Sequence, residues 1–167
     1  LALRQATKGK ARALAAAKKA FVWQDEAIRN IGQQARHPLI VTGVIESRLD
    51  DAASELHRDT PEALAQLGFA VAHAIDAEAP AVALAPEQLE RAQRIAAMLL
   101  AAERPLLVSG SSLGCEALID ATANIATALR RQGRAAAITL VVPEVNTLGV
   151  AMLGGVSVDV ALAELQQ

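Results

Sequence analysis

Three short apolar runs, separated by long helical patterns, constrain what this chain can fold into. They are Pro38–Gly43, Arg104–Gly114 and Ile138–Val142. The central run, Arg-Pro-Leu-Leu-Val-Ser-Gly-Ser-Ser-Leu-Gly, reads as a strand, a glycine-containing loop and the start of a helix. Leu106, Leu107 and Val108 show no polar alternation, which suits a strand covered on both faces. Gly110 and Gly114 permit backbone angles that a side chain resists. Ser111 or Ser112 is placed to cap the helix that follows. Strands interleaved with helices in this way predict βαβ crossovers. The expected fold is α/β: a Rossmann-like three-layer domain with a short parallel sheet of about three strands, flanked by helices.

The order along the chain predicts an N-terminal helical segment over 1–36, a parallel α/β core over 37–155 and a C-terminal helix over 156–167. Leu1–Gly9 reads as loose or as a short helical lead-in. Lys10–Gln34 reads as one long helix, with Leu14, Phe21, Ile28, Ala17 and Ile31 on one face and Trp23 as a packing residue. Ser47 precedes Asp50 as in a capping box and predicts a brief helix to about Leu56. Thr60-Pro61 is a helix start, with Leu64, Leu67, Val71 and Ile75 as its apolar face. Pro86 opens a helix carrying Leu89, Ala92, Ala96 and Leu99 on one stripe. Cys115–Gln132 follows, buried through Leu118, Ala121, Ile125, Ala128 and Leu129. Arg130 and Arg131 suit the negative end of that helix, and Gly133 ends it. Asn146–Gly155 is glycine-rich and apolar, and Ser157 caps a final helix to about Leu165.

Composition narrows the chemistry. Aromatic residues make up 2% of the 167 residues, so the core rests on Leu, Ile, Val and Ala, and no stacking platform for single-stranded nucleic acid is available. A net charge of −2 gives no general attraction to nucleic acid or acidic lipid. Arg4, Lys8, Lys10, Arg12, Lys18 and Lys19 all precede the first acid, Asp25. That basic stretch is either a solvated face or a meeting surface for an acidic partner. The lone Cys115 excludes an internal disulfide. The apolar runs are too short to span a membrane, so no direct membrane insertion is expected. The chain begins at leucine, and the sequence is expected to be a piece of a longer polypeptide.

Catalytic signals are sparse. His37, His57 and His73 have no metal-ligand spacing, and His37 and His57 read as surface residues. Asp50-Asp51 is either an acid/base couple or part of a helix cap. Cys115 follows a glycine loop at a helix start, where the dipole favours a thiolate, yet no histidine is near in sequence and a small buried cysteine is the commoner case. The Gly110–Gly114 loop fits neither a dinucleotide fingerprint nor a P-loop. The strand ends, where α/β sheets gather ligands, carry Thr42-Gly43, Ser109-Gly110 and Pro143-Glu144. No residue is expected to be catalytic or to bind a metal.

Ala102–Gly110 resembles the Ala-x-x-Pro-hydrophobic-Ser-Gly strand of molybdopterin oxidoreductases, and Asn146–Gly154 resembles their Asn-x-x-Gly-x-x-Asp-Met-x-Gly motif. The stretch Pro38–Asp76 resembles the strand, loop and helix that carry pterin-dinucleotide contacts in that family. Leu1–Lys10, Asn30–Gln33, Ser47–Asp51, Leu67–Ala70 and Ile138–Leu140 resemble one branch more closely. That branch is the G-subunit family of bacterial NADH:quinone oxidoreductase, respiratory complex I, over essentially the whole chain. The resemblance implies a scaffold segment of a complex that passes electrons from NADH to quinone. It implies iron–sulfur clusters only in an N-terminal part of the parent, and none in this chain. It further implies partners among the other peripheral-arm subunits and a place on the cytoplasmic side of the inner membrane. The departures imply that the cofactor was lost. Gly43-Val44-Ile45 stands where active members have Asp-Pro-Arg, Arg58–Pro61 where they have Pro-Gly-Thr-Asp, and Ala151 where they have the acid. Vestigial cofactor-binding candidates are Gly43, Ser109, Gly110, Asn146 and Gly149. Two enzyme readings also fit Pro86–Gly110: the cofactor domain of an active molybdopterin oxidoreductase, and the middle domain of a thiamine-diphosphate enzyme.

Overall fold

In a computed structural model, residues 2–33 and 35–165 are described. Leu1, Gln34 and the last two residues of the expected C-terminal helix lie outside them. The elements in chain order are α1 (Ala2–Thr7), α2 (Gly9–Ala17), α3 (Asp25–Gly32), β1 (Ile40–Gly43), β2 (Glu55–Arg58), α4 (Pro61–Ile75) and α5 (Pro86–Ala101). They continue with β3 (Leu106–Gly110), α6 (Glu116–Arg131), β4 (Ala137–Val141), α7 (Thr147–Leu153) and α8 (Val158–Leu165).

Helix α4 starts as its sequence dictates. The Thr60 hydroxyl accepts a hydrogen bond from the Ala63 N–H at 3.3 Å, and Pro61 fills the first helical position, where no N–H is needed. Its apolar face, with Leu64, Leu67, Val71 and Ile75, is buried as the spacing predicts. The core joins Leu67, Val71 and Ile75 to Ala92, Ile95 and Ala96 of α5 and to Ala126, Ala128 and Leu129 of α6. Gly68 permits a close approach of α4 to α6: a Cβ built there would lie 2.9 Å from the Ala121 Cβ. Arg131, in the last turn of α6, also reaches Asp76 at the end of α4, 3.1 Å away. Gly133 then turns the chain at φ +74°.

The α/β class holds, with the strands arranged differently from the single sheet expected. Four strands form two separate parallel pairs, β1–β2 and β3–β4. Strand β2 replaces the helix expected through Leu56. The Ser47 hydroxyl does meet Asp50, at 2.6 Å, but only a short 3-10 turn, Asp50–Ala52, follows. The backbone then extends, and the Ser54 N–H donates to the Leu39 carbonyl at 2.7 Å, setting β2 beside β1. Strand β3 is covered on one face only. Leu107 packs on the core, while Leu106 and Val108 are 47% and 42% exposed. A run of three apolar residues thus hides an alternation that only packing reveals.

The N-terminal segment also departs from expectation. The helix expected over Lys10–Gln34 is broken between α2 and α3, with Lys19 at φ +61°. The two helices fold back on each other, so closely that a Cβ on Gly32 would collide with Ala11. This turn disperses the predicted face: Leu14 and Phe21 are exposed. Trp23 does not pack in a core. It is 77% exposed and stacks on Phe21, with ring centroids 6.0 Å apart.

Candidate functional site

The strand-end residues fall into three places. Gly43 ends β1 opposite Arg58 of β2, and a Cβ on it would lie 3.3 Å from the guanidinium. Ser109 and Gly110 end β3, with Gly110 in register with Val141. A Cβ on Gly110 would lie 2.5 Å from the Val141 carbonyl oxygen, so glycine is required there by a neighbouring strand. Asn146 and Gly149 lie at the start of α7, and the Asn146 side-chain oxygen occupies the space a Cβ on Gly149 would need. No strand ladder among the described residues joins Gly43 to Ser109 and Gly110. Each glycine is therefore filled by its own neighbours.

The loop after β3 is a turn, with the Gly114 N–H donating to the Ser111 carbonyl at 3.0 Å and Gly114 at φ +62°. Neither Ser111 nor Ser112 caps α6. Cys115 holds the capping position, and no side chain makes the capping bond.

A cavity of about 650 Å³ lies at the opposite ends of the strands. It is bounded by Leu39 and Ile40 entering β1, by Pro105 and Leu106 entering β3, and by Met98 and Leu99 of α5. None of the five strand-end candidates lines it.

A polar cluster around β2 was not legible in the sequence. Asp50 is 2.5 Å from the Arg58 guanidinium and accepts from the Ser47 hydroxyl. Arg58 first, and Ser47 after it, pull the Asp50 carboxyl down to about 2. Asp51 turns away and pairs with Arg4 at 2.6 Å, which lowers its pKa. The adjacent carboxylates therefore serve different arginines and form no acid/base couple. His57 is buried, correcting its reading as a surface residue, because β2 carries its imidazole against the Glu55 carboxylate, 3.2 Å away. Burial, and next the Arg91 charge, push its pKa down despite Glu55. The His57 Nε2, Glu55 Oε2 and Arg58 Nη1 atoms are buried, and none has a well-aligned hydrogen-bond partner among the described residues. The only sequence trace of this cluster is the alternation Glu55-Leu56-His57-Arg58. His73 is held by the connection that follows its own helix, with Nδ1 2.8 Å from the Ala79 carbonyl oxygen. His37 is exposed. No group of metal-ligating side chains occurs among the described residues.

No family model matches the chain. The G subunit of NADH-quinone oxidoreductase from Pseudomonas fluorescens is 55% identical over 163 residues, covering 97% of this chain. The chain matches an internal segment of the NADH-quinone oxidoreductase G subunit. The Pseudomonas putida G subunit is 56% identical over the same share, and that of Escherichia coli K12 is 47% identical over 99% of the chain. The chain spans 18% of the length of these relatives.

Proposed function

We propose that this chain is a structural segment of an NADH-quinone oxidoreductase G subunit, from a degenerate molybdopterin-oxidoreductase-like region, with no redox or catalytic residue of its own. The observation that carries the reading is the identity of 55% to such a subunit over nearly the whole chain. Supporting it, the strand-end residues serve packing: Gly110 lies under the Val141 carbonyl, Gly149 under Asn146, and Arg58 is neutralised by Asp50. In this reading the parent complex passes electrons from NADH to quinone. Its iron–sulfur clusters belong to other parts of the polypeptide, and the segment sits in the peripheral arm on the cytoplasmic side of the inner membrane. Its partners are the other subunits of that arm, and 1–36, 37–155 and 156–167 are parts of one α/β unit. No described helix is long and apolar enough to cross a membrane.

The test uses the full-length subunit, tagged and expressed in its own complex. Co-purification with NADH:quinone activity is expected, and its absence overturns the reading. Ser109→Ala and Asn146→Ala are expected to leave turnover per assembled complex unchanged. A fall in turnover with assembly intact would show a working ligand site at the strand ends.

A further inference from the structure

Among the described residues strand β4 pairs only with β3, and its other edge is open. All five of its residues are exposed, with Ile138, Leu140 and Val141 at 41%, 53% and 52%. The Ala137 N–H donates to the Pro105 carbonyl, and the Val141 carbonyl accepts from the Ser111 N–H. Bonding in a parallel ladder alternates residue by residue. Ala137, Thr139 and Val141 therefore bond toward β3, and Ile138 and Leu140 turn their N–H and C=O groups to the open edge. Beyond β4 the exposure continues: Val145, Leu148, Met152 and Leu153 stand in solvent at 106%, 64%, 80% and 86%. Parallel strands are stable almost only when both faces are covered, and an apolar edge strand is a template for another strand.

Two observations identify what covers it. Helices α7 and α8 are apolar and meet at 43°, which suits a lipid surface by composition. Hydrocarbon, however, leaves the outward N–H and C=O groups of Ile138 and Leu140 unsatisfied, and a polypeptide strand satisfies them. The relatives supply that polypeptide, since the matched segment is 18% of their length. We infer that β4 is an interior strand of a larger sheet. Its outer edge is paired, and its faces and the apolar sides of α7 and α8 are covered, by the remainder of the same G-subunit polypeptide. This inference rests on the segment reading above, and its test does not depend on NADH:quinone activity.

A photoreactive residue is placed at Leu140, and separately at Val145, in the full-length polypeptide, which is irradiated in cells and purified by its own tag whether or not other subunits come with it. The expected products are cross-links to peptides of the same polypeptide outside the matched segment. Adducts to another subunit, to lipid or to a second copy would overturn the inference. As an unsubstituted readout, hydrogen exchange in the full-length polypeptide is expected to slow the Ile138 and Leu140 amides at least about tenfold relative to solvent-exposed loop amides. Exchange at loop rates there would also overturn it. Loss of co-purification with the complex would instead sink the functional reading, and would leave an intramolecular cross-link standing.

Discussion

Helix α6 and helix α7 are both built from alanine and branched aliphatics, yet one is core and the other stands in solvent. Leu129 of α6 is 0% exposed, whereas Leu153 of α7 is 86% exposed. The difference is partnership. Helix α6 lies on α4 through the Gly68–Ala121 contact and on β3 through Leu107, with Arg131 tied to Asp76. Helix α7 buries none of its residues against the described chain. Hydrophobic content therefore states a demand for burial, and the surrounding chain decides whether it is met.

The contrast breaks most sharply at Leu129. Leu129→Ala should cost about 3 kcal/mol in urea unfolding of the chain, within the range for a fully buried leucine. Leu153→Ala should change the same measurement by less than about 0.5 kcal/mol. Equal losses at the two sites would mean that α7 is packed in solution. Gly68→Leu tests the helix contact itself. It should cost about 2 kcal/mol by overpacking against Ala121, and a neutral result would show that α4 and α6 separate at little cost. Thr60→Ala, which removes the cap of α4, should cost about 1 kcal/mol, with Thr60→Ser restoring most of it.

Acid sharpens the contrast from the other side, through the polar cluster. Asp50 has a folded pKa of about 2, below its ordinary value of 3.8. Its stabilising contribution is therefore present above about pH 4 and is lost as pH falls toward 2. His57 is pushed below 6.5, so the fold prefers its neutral form. Stability should decline as pH falls below 6.5, until the folded form itself takes the proton. His57→Gln should flatten the first decline and Asp50→Asn the second, measured as unfolding midpoints from about pH 7 to about pH 2. Unchanged slopes would assign the acid response to other groups.

Much of the helical core was legible in the sequence. Leu64, Leu67, Val71 and Ile75 declare one face of α4 by spacing alone, and the Thr60-Pro61 start and the Gly133 stop are local chemistry that tertiary structure left in place. What failed was non-local. Strand β2 took Glu55 and Leu56 from a predicted helix because β1 offered a ladder, and no short-range signal encodes that pairing. The Arg4–Asp51 pair spans distant positions, and burial of His57 depends on the elements beside β2. The repeat of Leu14, Phe21 and Ile28 suggested one helix, but the reversal at Lys19 placed those residues on different elements. The strand-end motif showed where glycines occur, and the structure gives a packing reason for Gly110 and Gly149.

The exposed stack of Phe21 and Trp23 has an optical consequence. Trp23 is the only tryptophan and stands 77% in water, away from the core around Leu129. Its fluorescence should have the red-shifted emission of a hydrated indole in the folded chain, and should change little when the core melts. A blue shift would instead report contact at the loop between α2 and α3. The chain thus carries a native probe that is insensitive to its own unfolding and sensitive to whatever docks beside that loop.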